Sequence, residues 1–289
     1  MLTHARTRRV ALVTGATHGI GYQVARGLAE DGATVIVHAR THEDAYLAMS
    51  GLLESGVDPL LFRSEVADFT RLSDVRALAA RIISEHGRVD LLVNNAAVIG
   101  DTRRVVTGDG YESTFQVNYL AHYLLTRLLW RSLRDAPHGR VVSVSSAVHR
   151  GAHVGWGESD RSTRHAPVAA YAQSKLALTM LTQAVATRAS GGMTAVSVHP
   201  GVIATGTMRR VYGTYGAPVA DGAEAVLRLC AASSAVRNGG YYEGRMLAMP
   251  SALAQDPGSV DRLWRLSARM AHFAGDPAEQ AATTLASAR

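Results

Sequence analysis

The stretch Val10-Ala11-Leu12-Val13-Thr14-Gly15-Ala16-Thr17-His18-Gly19-Ile20-Gly21 decides the fold. Its four leading apolar residues predict a buried strand, and its three glycines predict a tight turn into a helix that begins near Gly19. Such a turn lets the backbone approach a pyrophosphate closely, and the helix presents free N–H groups and the positive end of its dipole to the anion. A glycine triplet alone is weak evidence, but a strand before it and a helix after it are the context that a dinucleotide site requires. A purely structural turn is the alternative interpretation.

Short apolar runs alternate with longer helical stretches up to about residue 270. This alternation predicts an α/β protein, a doubly wound Rossmann fold with a mostly parallel seven-stranded sheet and helices on both faces. We predict one domain over residues 1–289, with loose tails at 1–8 and 275–289. The predicted strands are 10–14, 34–38, 59–64, 89–94, 140–145, 194–199 and 244–248. The predicted helices are 19–31, 43–55, 70–86, 110–134, 168–190, 220–233 and 259–272, and 147–167 and 204–219 are predicted loops.

Composition excludes several classes of function. The net charge is +6, but the arginines are scattered and form no basic stripe, so we predict no nucleic-acid partner. No apolar run approaches the ~20 residues of a membrane span, and the amino terminus does not resemble a signal peptide. The single cysteine, Cys230, excludes an intramolecular disulfide and is consistent with a cytoplasmic location. No cluster of histidine, cysteine and aspartate has metal-ligand spacing, so we predict no metal.

One lysine stands among the 30 basic residues, at position 175, and Tyr171 precedes it by one helical turn. A cation at this distance stabilises a phenolate, which allows the tyrosine to exchange a proton with an alcohol or carbonyl oxygen. Ser146 directly follows an apolar strand, so its hydroxyl lies at the carboxyl edge of the sheet and can bind the reacting oxygen. A Tyr-x-x-x-Lys pair is common by chance, but its combination with Ser146 and Asn118 after the expected strands points to a catalytic group.

The end of the second strand indicates which dinucleotide binds. An NAD site usually has an acidic residue at this position, where it binds the ribose 2′-hydroxyl. Here Ala39 stands near that position and Arg40 follows it. A guanidinium there can bind the 2′-phosphate of NADP, and His18 can add a second donor. The sequence therefore predicts NADP(H) as the cofactor.

These motifs together resemble those of the short-chain dehydrogenase/reductase family. The matching segments are Thr14-Gly15-x-x-x-Gly19-Ile20-Gly21, Asn94-Asn95-Ala96-Ala97, Asn118, Ser146, Tyr171-x-x-x-Lys175 and Pro200-Gly201-x-x-x-Thr205. The resemblance implies that Asn118, Ser146, Tyr171 and Lys175 are catalytic, with Asn118 holding a water that links Lys175 to solvent. It implies cofactor contacts from Gly15, Thr17, His18, Gly19, Ile20, Gly21, Arg40, Glu65, Val66, Asn94, Ala96, Tyr171, Lys175, Pro200, Gly201, Ile203 and Thr205. Two residues depart from the family pattern: Ala97 replaces a glycine, and Glu65 replaces the aspartate that meets the adenine.

Further features resemble the retinol-dehydrogenase-like branch of that family. They are the stretch 115–126, the spacing of 25 residues between Ser146 and Tyr171, the loop 147–167 and the late Arg262-Leu263-Trp264. The branch implies a bulky, largely apolar alcohol or carbonyl substrate. Substrate contacts are expected from Ser146, His149, His153, Trp156 and Tyr171, although the two histidines and the tryptophan could equally form an exposed loop. The arginine-rich, lysine-poor composition is typical of a high-GC bacterium, where such enzymes often act as ketoreductases of secondary metabolism.

Two other functions are compatible with the same residues. A non-catalytic NADP-binding regulator would share the fold, but it would not need Tyr171 and Lys175. An epimerase or dehydratase could use the same tyrosine on a keto intermediate. The resemblance also implies a homodimer or homotetramer that pairs through the helices carrying Asn118 and Tyr171.

Overall fold

One eight-stranded sheet forms the centre of the computed structural model, which describes residues 8–154, 166–190, 192–204 and 216–274. The order of the strands is β3-β2-β1-β4-β5-β6-β7-β8; the first seven are parallel, and β8 is antiparallel to β7. The strands are β1 Val10–Val13, β2 Thr34–Ala39, β3 Phe62–Val66, β4 Leu91–Asn94, β5 Arg140–Val144, β6 Thr194–His199, β7 Tyr241–Glu243 and β8 Met246–Ala248. The strand order reverses between β1 and β4, which is where open α/β sheets bind their ligands.

Helices cover both faces of the sheet, because the central strands are apolar on both sides. The helices are α1 Gly19–Glu30, α2 His42–Glu54, α3 Leu72–His86, α4 Ser113–Phe115, α5 Ala121–Leu128, α6 Trp130–Asp135, α7 Pro167–Arg188, α8 Val219–Cys230, α9 Ala252–Gln255 and α10 Pro257–Met270. Helices α1, α2 and α8 pack on one face, and α3, α5, α7 and α10 pack on the other. No helix in the described part of the chain is long and apolar enough to cross a membrane.

The structure confirms the predicted fold class and corrects several boundaries. The sheet has eight strands rather than seven, because the predicted strand 244–248 is half of a hairpin that turns at Gly244, whose φ is +55°. The predicted strand 59–64 starts with a 3₁₀ turn, Pro59–Leu61, and pairs only from Phe62. The predicted helix 110–134 starts at Ser113, contains a π-helical turn over Gln116–Leu120 and breaks at Leu129. The predicted loop 147–167 opens with a 3₁₀ helix, Ala147–Gly151. The tail 275–289 and residues 1–7 lie outside the described residues.

The carboxyl-terminal helix α10 packs across α5 and α7. From Tyr171 to Val185, every residue of α7 is buried except Gln173 and Gln183. The centres of the Trp264 and Tyr123 rings are 5.1 Å apart, and the Ser267 and Tyr119 hydroxyls are 2.6 Å apart. The face that the resemblance assigns to subunit pairing is therefore covered within the same chain.

Candidate active site

A cleft of about 530 Å³ opens at the carboxyl edge of the sheet, beside the point where the strand order reverses. It brings together most residues that the sequence singles out. Those that line it are Gly15, Thr17, His18, Gly19, Ile20, Gly21, Arg40, Ala96, Ser146, Tyr171, Lys175, Pro200, Gly201 and Ile203. Six others are described but do not line it: Glu65, Val66, Asn94, Asn118, His149 and His153. Trp156 and Thr205 lie outside the described residues.

The glycine turn forms one end of the cleft. Gly15 has a φ of +62°, and a Cβ added there would lie 2.8 Å from the Cα of Ala96, so only glycine fits. The first hydrogen bond of α1 runs from the Tyr22 amide to the His18 carbonyl, at 3.4 Å. The N–H groups of the first turn therefore have no acceptor inside the helix and can bind an anion. This geometry fits the diphosphate of a dinucleotide.

Ser146, Tyr171 and Lys175 are all buried against the same cleft, with 2 %, 6 % and 2 % of their surface exposed. The Lys175 Nζ donates a 2.7 Å hydrogen bond to the Val144 carbonyl and lies 5.5 Å from the centre of the Tyr171 ring. Burial lowers the pKa of Lys175 to about 7, so its amine can exchange a proton near neutral pH. The Ser146 hydroxyl is buried and has no hydrogen-bond partner among the described residues, which leaves it available to a ligand oxygen.

Asn118 is completely buried in the π-helical turn and acts behind the cleft. Its Oδ1 accepts from the Val98 amide at 2.8 Å, and its Nδ2 donates to the Val98 carbonyl at 2.8 Å and to the Ser174 hydroxyl at 3.0 Å. These bonds tie the segment after β4 to the helix that carries Tyr171. Asn118 as the holder of a relay water stays a prediction.

Asn95, rather than Asn94, shapes the cleft. Asn94 is completely buried at the end of β4, and its Nδ2 lies 3.3 Å from the Thr126 hydroxyl. Asn95 lines the cleft and donates to the Thr14 carbonyl at 2.8 Å and to the Gly15 carbonyl at 3.1 Å. The repeated asparagine in the sequence contained this signal, but which of the two faces the cleft depends on where β4 ends.

Glu65 and Val66 do not contact the cleft. The Glu65 carboxylate accepts from the Arg81 guanidinium at 2.8 Å, and the same guanidinium donates to the Val66 carbonyl at 2.9 Å. The wall that follows β3 is instead formed by Ala67, Asp68 and Phe69. The longer carboxylate at position 65 reaches an ion pair on α3, which explains the difference from the expected adenine contact.

Two buried histidines, which the sequence patterns did not single out as site residues, belong to the cleft: His38 lines it, and His122 contacts Phe69, which also lines it. The His38 ring stacks on Phe69 with 4.3 Å between ring centres, and the His122 ring meets Phe69 edge-on at 5.3 Å. Burial lowers the pKa of His38 to about 4 and that of His122 to about 3. Both rings are therefore neutral at physiological pH. No periodicity in the sequence predicts such partners, because they come from different strands and helices.

Of the predicted substrate residues, Ser146 and Tyr171 line the cleft, and the two histidines do not. His149 is completely buried, donates from Nδ1 to the Ser146 carbonyl at 2.7 Å and accepts from the Ser251 amide at 3.1 Å, so it supports Ser146 from behind. His153 is exposed and does not line the cleft. The sequence predicted that both histidines would contact the substrate, but neither of them lines the cleft. His199 also lines the cleft, and burial lowers its pKa.

Comparisons with known proteins agree with this geometry. The family model described as short chain dehydrogenase matches residues 9–215. Retinol dehydrogenase 13 from Mus musculus is 32% identical over 92% of this chain and 84% of its own length. A protein from Streptomyces sp. (strain C5) named "Putative daunorubicin C-13 ketoreductase DnrU" is 34% identical over 90% of this chain and 91% of its own. A gluconate 5-dehydrogenase from Burkholderia cenocepacia J2315, whose structure contains NADP and tartrate, aligns with a TM-score of 0.64 at 25% identity over 81% of this chain and 92% of that chain.

The match to the family model covers well over half of the chain, and the relatives match it along most of their length. Ser146, Tyr171 and Lys175 are buried against the same cleft as the glycine turn. The chain is therefore an alcohol/carbonyl oxidoreductase that belongs to the short chain dehydrogenase family, in its retinol-dehydrogenase-like branch.

Proposed function

We propose that this protein interconverts a carbonyl and an alcohol on a bulky, largely apolar substrate with NADP(H), and that Tyr171 exchanges the proton. The observation that carries the proposal is the burial of Tyr171, Lys175 and Ser146 in the same cleft as the glycine turn. A bound NADPH supplies the hydride; the residues of the chain position the carbonyl and supply the proton.

Each of the three side chains has a separate task in this reaction. The Ser146 hydroxyl, which has no partner among the described residues, donates a hydrogen bond to the substrate oxygen. Tyr171 donates its phenolic proton to that oxygen during reduction and accepts it during oxidation. Lys175 stabilises the phenolate and, with its pKa near neutrality, can return a proton to Tyr171.

The end of the cleft at β2 supports NADP(H). Arg40 is exposed, lines the cleft with His18 and follows Ala39, so no acidic side chain occupies the position that binds a ribose 2′-hydroxyl in NAD sites. Asp44 also lines this end, and its carboxylate accepts from the Thr41 hydroxyl at 2.8 Å. A guanidinium can bind a 2′-phosphate through two parallel hydrogen bonds. The related gluconate 5-dehydrogenase structure contains NADP.

The apolar lining of the cleft supports an apolar substrate. This lining includes Val98, Val117, Val144 and Ile203. The named relatives include a retinol dehydrogenase and a protein named as a ketoreductase of daunorubicin, and both names refer to large ring-bearing molecules. A ketoreductase of bacterial secondary metabolism is therefore the specific function that we favour.

The homodimer or homotetramer that the resemblance implies cannot pair through the predicted face. Helix α10 covers α5 and α7, so a partner subunit has no access to that face in the described part of the chain. We propose that a homodimer or homotetramer, if it forms, uses another surface. Light scattering in solution gives the number of subunits directly.

Cofactor and substrate preference can be measured together. We expect kcat/KM for a polycyclic aromatic ketone to be higher than for a small polar ketone, because only the former fills an apolar cleft. We expect NADPH to be preferred over NADH by about tenfold or more, since hydrogen bonds to a charged group contribute about 1.5–3 kcal/mol. The Arg40→Ala variant lacks the guanidinium, so its preference for NADPH over NADH should be smaller than that of the wild type. A wild-type preference for NADH, or for the small ketone, would contradict the proposal.

A further inference from the structure

His38, near the end of β2, binds two consecutive amides of the glycine turn. Its ring Nδ1 accepts from the Gly15 amide at 3.0 Å, and its backbone carbonyl accepts from the Ala16 amide at 3.0 Å. Only 3 % of its surface is exposed, so water does not compete for these bonds. A single residue therefore sets the direction of the first two N–H groups of the turn.

The other ring nitrogen of His38 binds the opposite wall of the cleft. Its Nε2 lies 3.0 Å from the Ala67 carbonyl. A carbonyl can only accept, so Nε2 carries the proton and Nδ1 keeps the lone pair that the Gly15 amide needs. The ring also stacks on Phe69, and both Ala67 and Phe69 line the cleft. His38 thus connects the glycine turn to the wall that follows β3.

The direction of these amides matters for the ligand. The Gly15 and Ala16 amides are bonded to His38, and the first residues of α1, whose N–H groups have no acceptor inside the helix, line the cleft. Gly15 also lies against Ala96, where an added Cβ would be 2.8 Å from the Ala96 Cα, so the turn has little room to shift. Loss of the His38 ring would remove the bonds to the Gly15 amide and the Ala67 carbonyl and keep the backbone bond to Ala16.

We propose that His38 is a positioning residue for the dinucleotide: by binding Gly15, Ala16 and Ala67 it fixes the spacing between the glycine turn and the Ala67–Phe69 wall. The inference rests on the proposed function, because it requires that a dinucleotide binds between these two walls. His38 acts through the backbone and not on the 2′-phosphate. Its removal should therefore weaken NADPH and NADH equally, whereas removal of the Arg40 guanidinium should weaken NADPH selectively.

Two variants of His38 separate its contacts. His38→Phe keeps the aromatic stack on Phe69 and removes both ring hydrogen bonds. His38→Asn keeps an acceptor close to the position of Nδ1, within reach of the Gly15 amide, and removes the bond to Ala67. Arg40→Ala is the comparison for selectivity, and His138→Phe, at an exposed histidine outside the cleft, is the matched control.

Dissociation constants for NADPH and NADH, with thermal melting of each variant, test the proposal. We expect His38→Phe to weaken both cofactors by the same factor, about tenfold, with kcat at saturating NADPH within about twofold of wild type. His38→Asn should lie between His38→Phe and wild type, and His138→Phe should bind like wild type. Unchanged dissociation constants in whichever His38 variants fold, or a loss confined to NADPH, would overturn the role of His38. Failure of the wild type to bind either cofactor would instead contradict the proposed function.

Discussion

The Tyr171→Phe variant is expected to lose NADPH turnover by about 10²- to 10⁴-fold, the usual contribution of a positioned proton donor. The phenyl ring keeps the shape of the buried tyrosine, and the oxygen that exchanges the proton is the only atom removed. Cofactor binding should be retained, since the glycine turn and Arg40 line the cleft independently of this oxygen. The measurement is kcat with a polycyclic ketone alongside the dissociation constant for NADPH.

A matched control for this variant is Tyr46→Phe. Tyr46 lies on α2, is 72% exposed and does not line the cleft. Its loss of a hydroxyl should leave kcat unchanged. Retention of wild-type turnover by Tyr171→Phe would show that another group donates the proton.

Acidification from pH 7 to pH 5 should reduce the free energy of unfolding by roughly 4 kcal/mol, about 2 kcal/mol from each of His38 and His122. Both groups have a folded pKa below their ordinary value of 6.5, so the unfolded chain binds more protons as the pH falls. Their contribution is complete above pH 6.5 and decreases as the pH falls toward about 4 for His38 and about 3 for His122. Lys175 titrates in a separate window, because with a folded pKa of about 7 it makes stability depend on pH mainly between pH 7 and its ordinary value of 10.5.

Urea unfolding at pH 7 and pH 5 measures this effect. In the His38→Phe variant, the difference in the free energy of unfolding between pH 7 and pH 5 should be about half that of the wild type. Phenylalanine has no group to protonate in either the folded or the unfolded state. The buried His149 and His199 also have lowered pKa values and act in the same direction. Equal stability of the wild type at the two pH values would contradict the assignment of neutral, buried histidines.

The sequence identified the parts of the fold and site that depend on local pattern. The runs that became β1, β2, β4, β5 and β6 are continuous and apolar, so burial in a parallel sheet followed directly from them. The predicted strand 244–248 covered β8, but β7 was missed because it has only three residues, Tyr241–Glu243. A strand this short carries little periodic signal.

Within the site too, the sequence predicted what depends on local spacing and missed what depends on tertiary partners. Tyr171 and Lys175 share one helix, so their spacing alone placed them together. Glu65 was misplaced because its direction depends on Arg81, a partner on another helix. His38 and His122 were not recognised as site residues because burial and tertiary partners, which a single sequence does not contain, give them their role.

The central claim is tested most directly by the fate of a label on the cofactor. The wild-type protein would be incubated with a polycyclic ketone and NADPH deuterated at both positions of nicotinamide C4, and the product examined by NMR. Hydride transfer beside Tyr171 predicts an alcohol with deuterium on its carbinol carbon and one equivalent of NADP⁺ for each alcohol formed. A product without deuterium, or a changed substrate with the cofactor still reduced, would contradict an oxidoreductase mechanism.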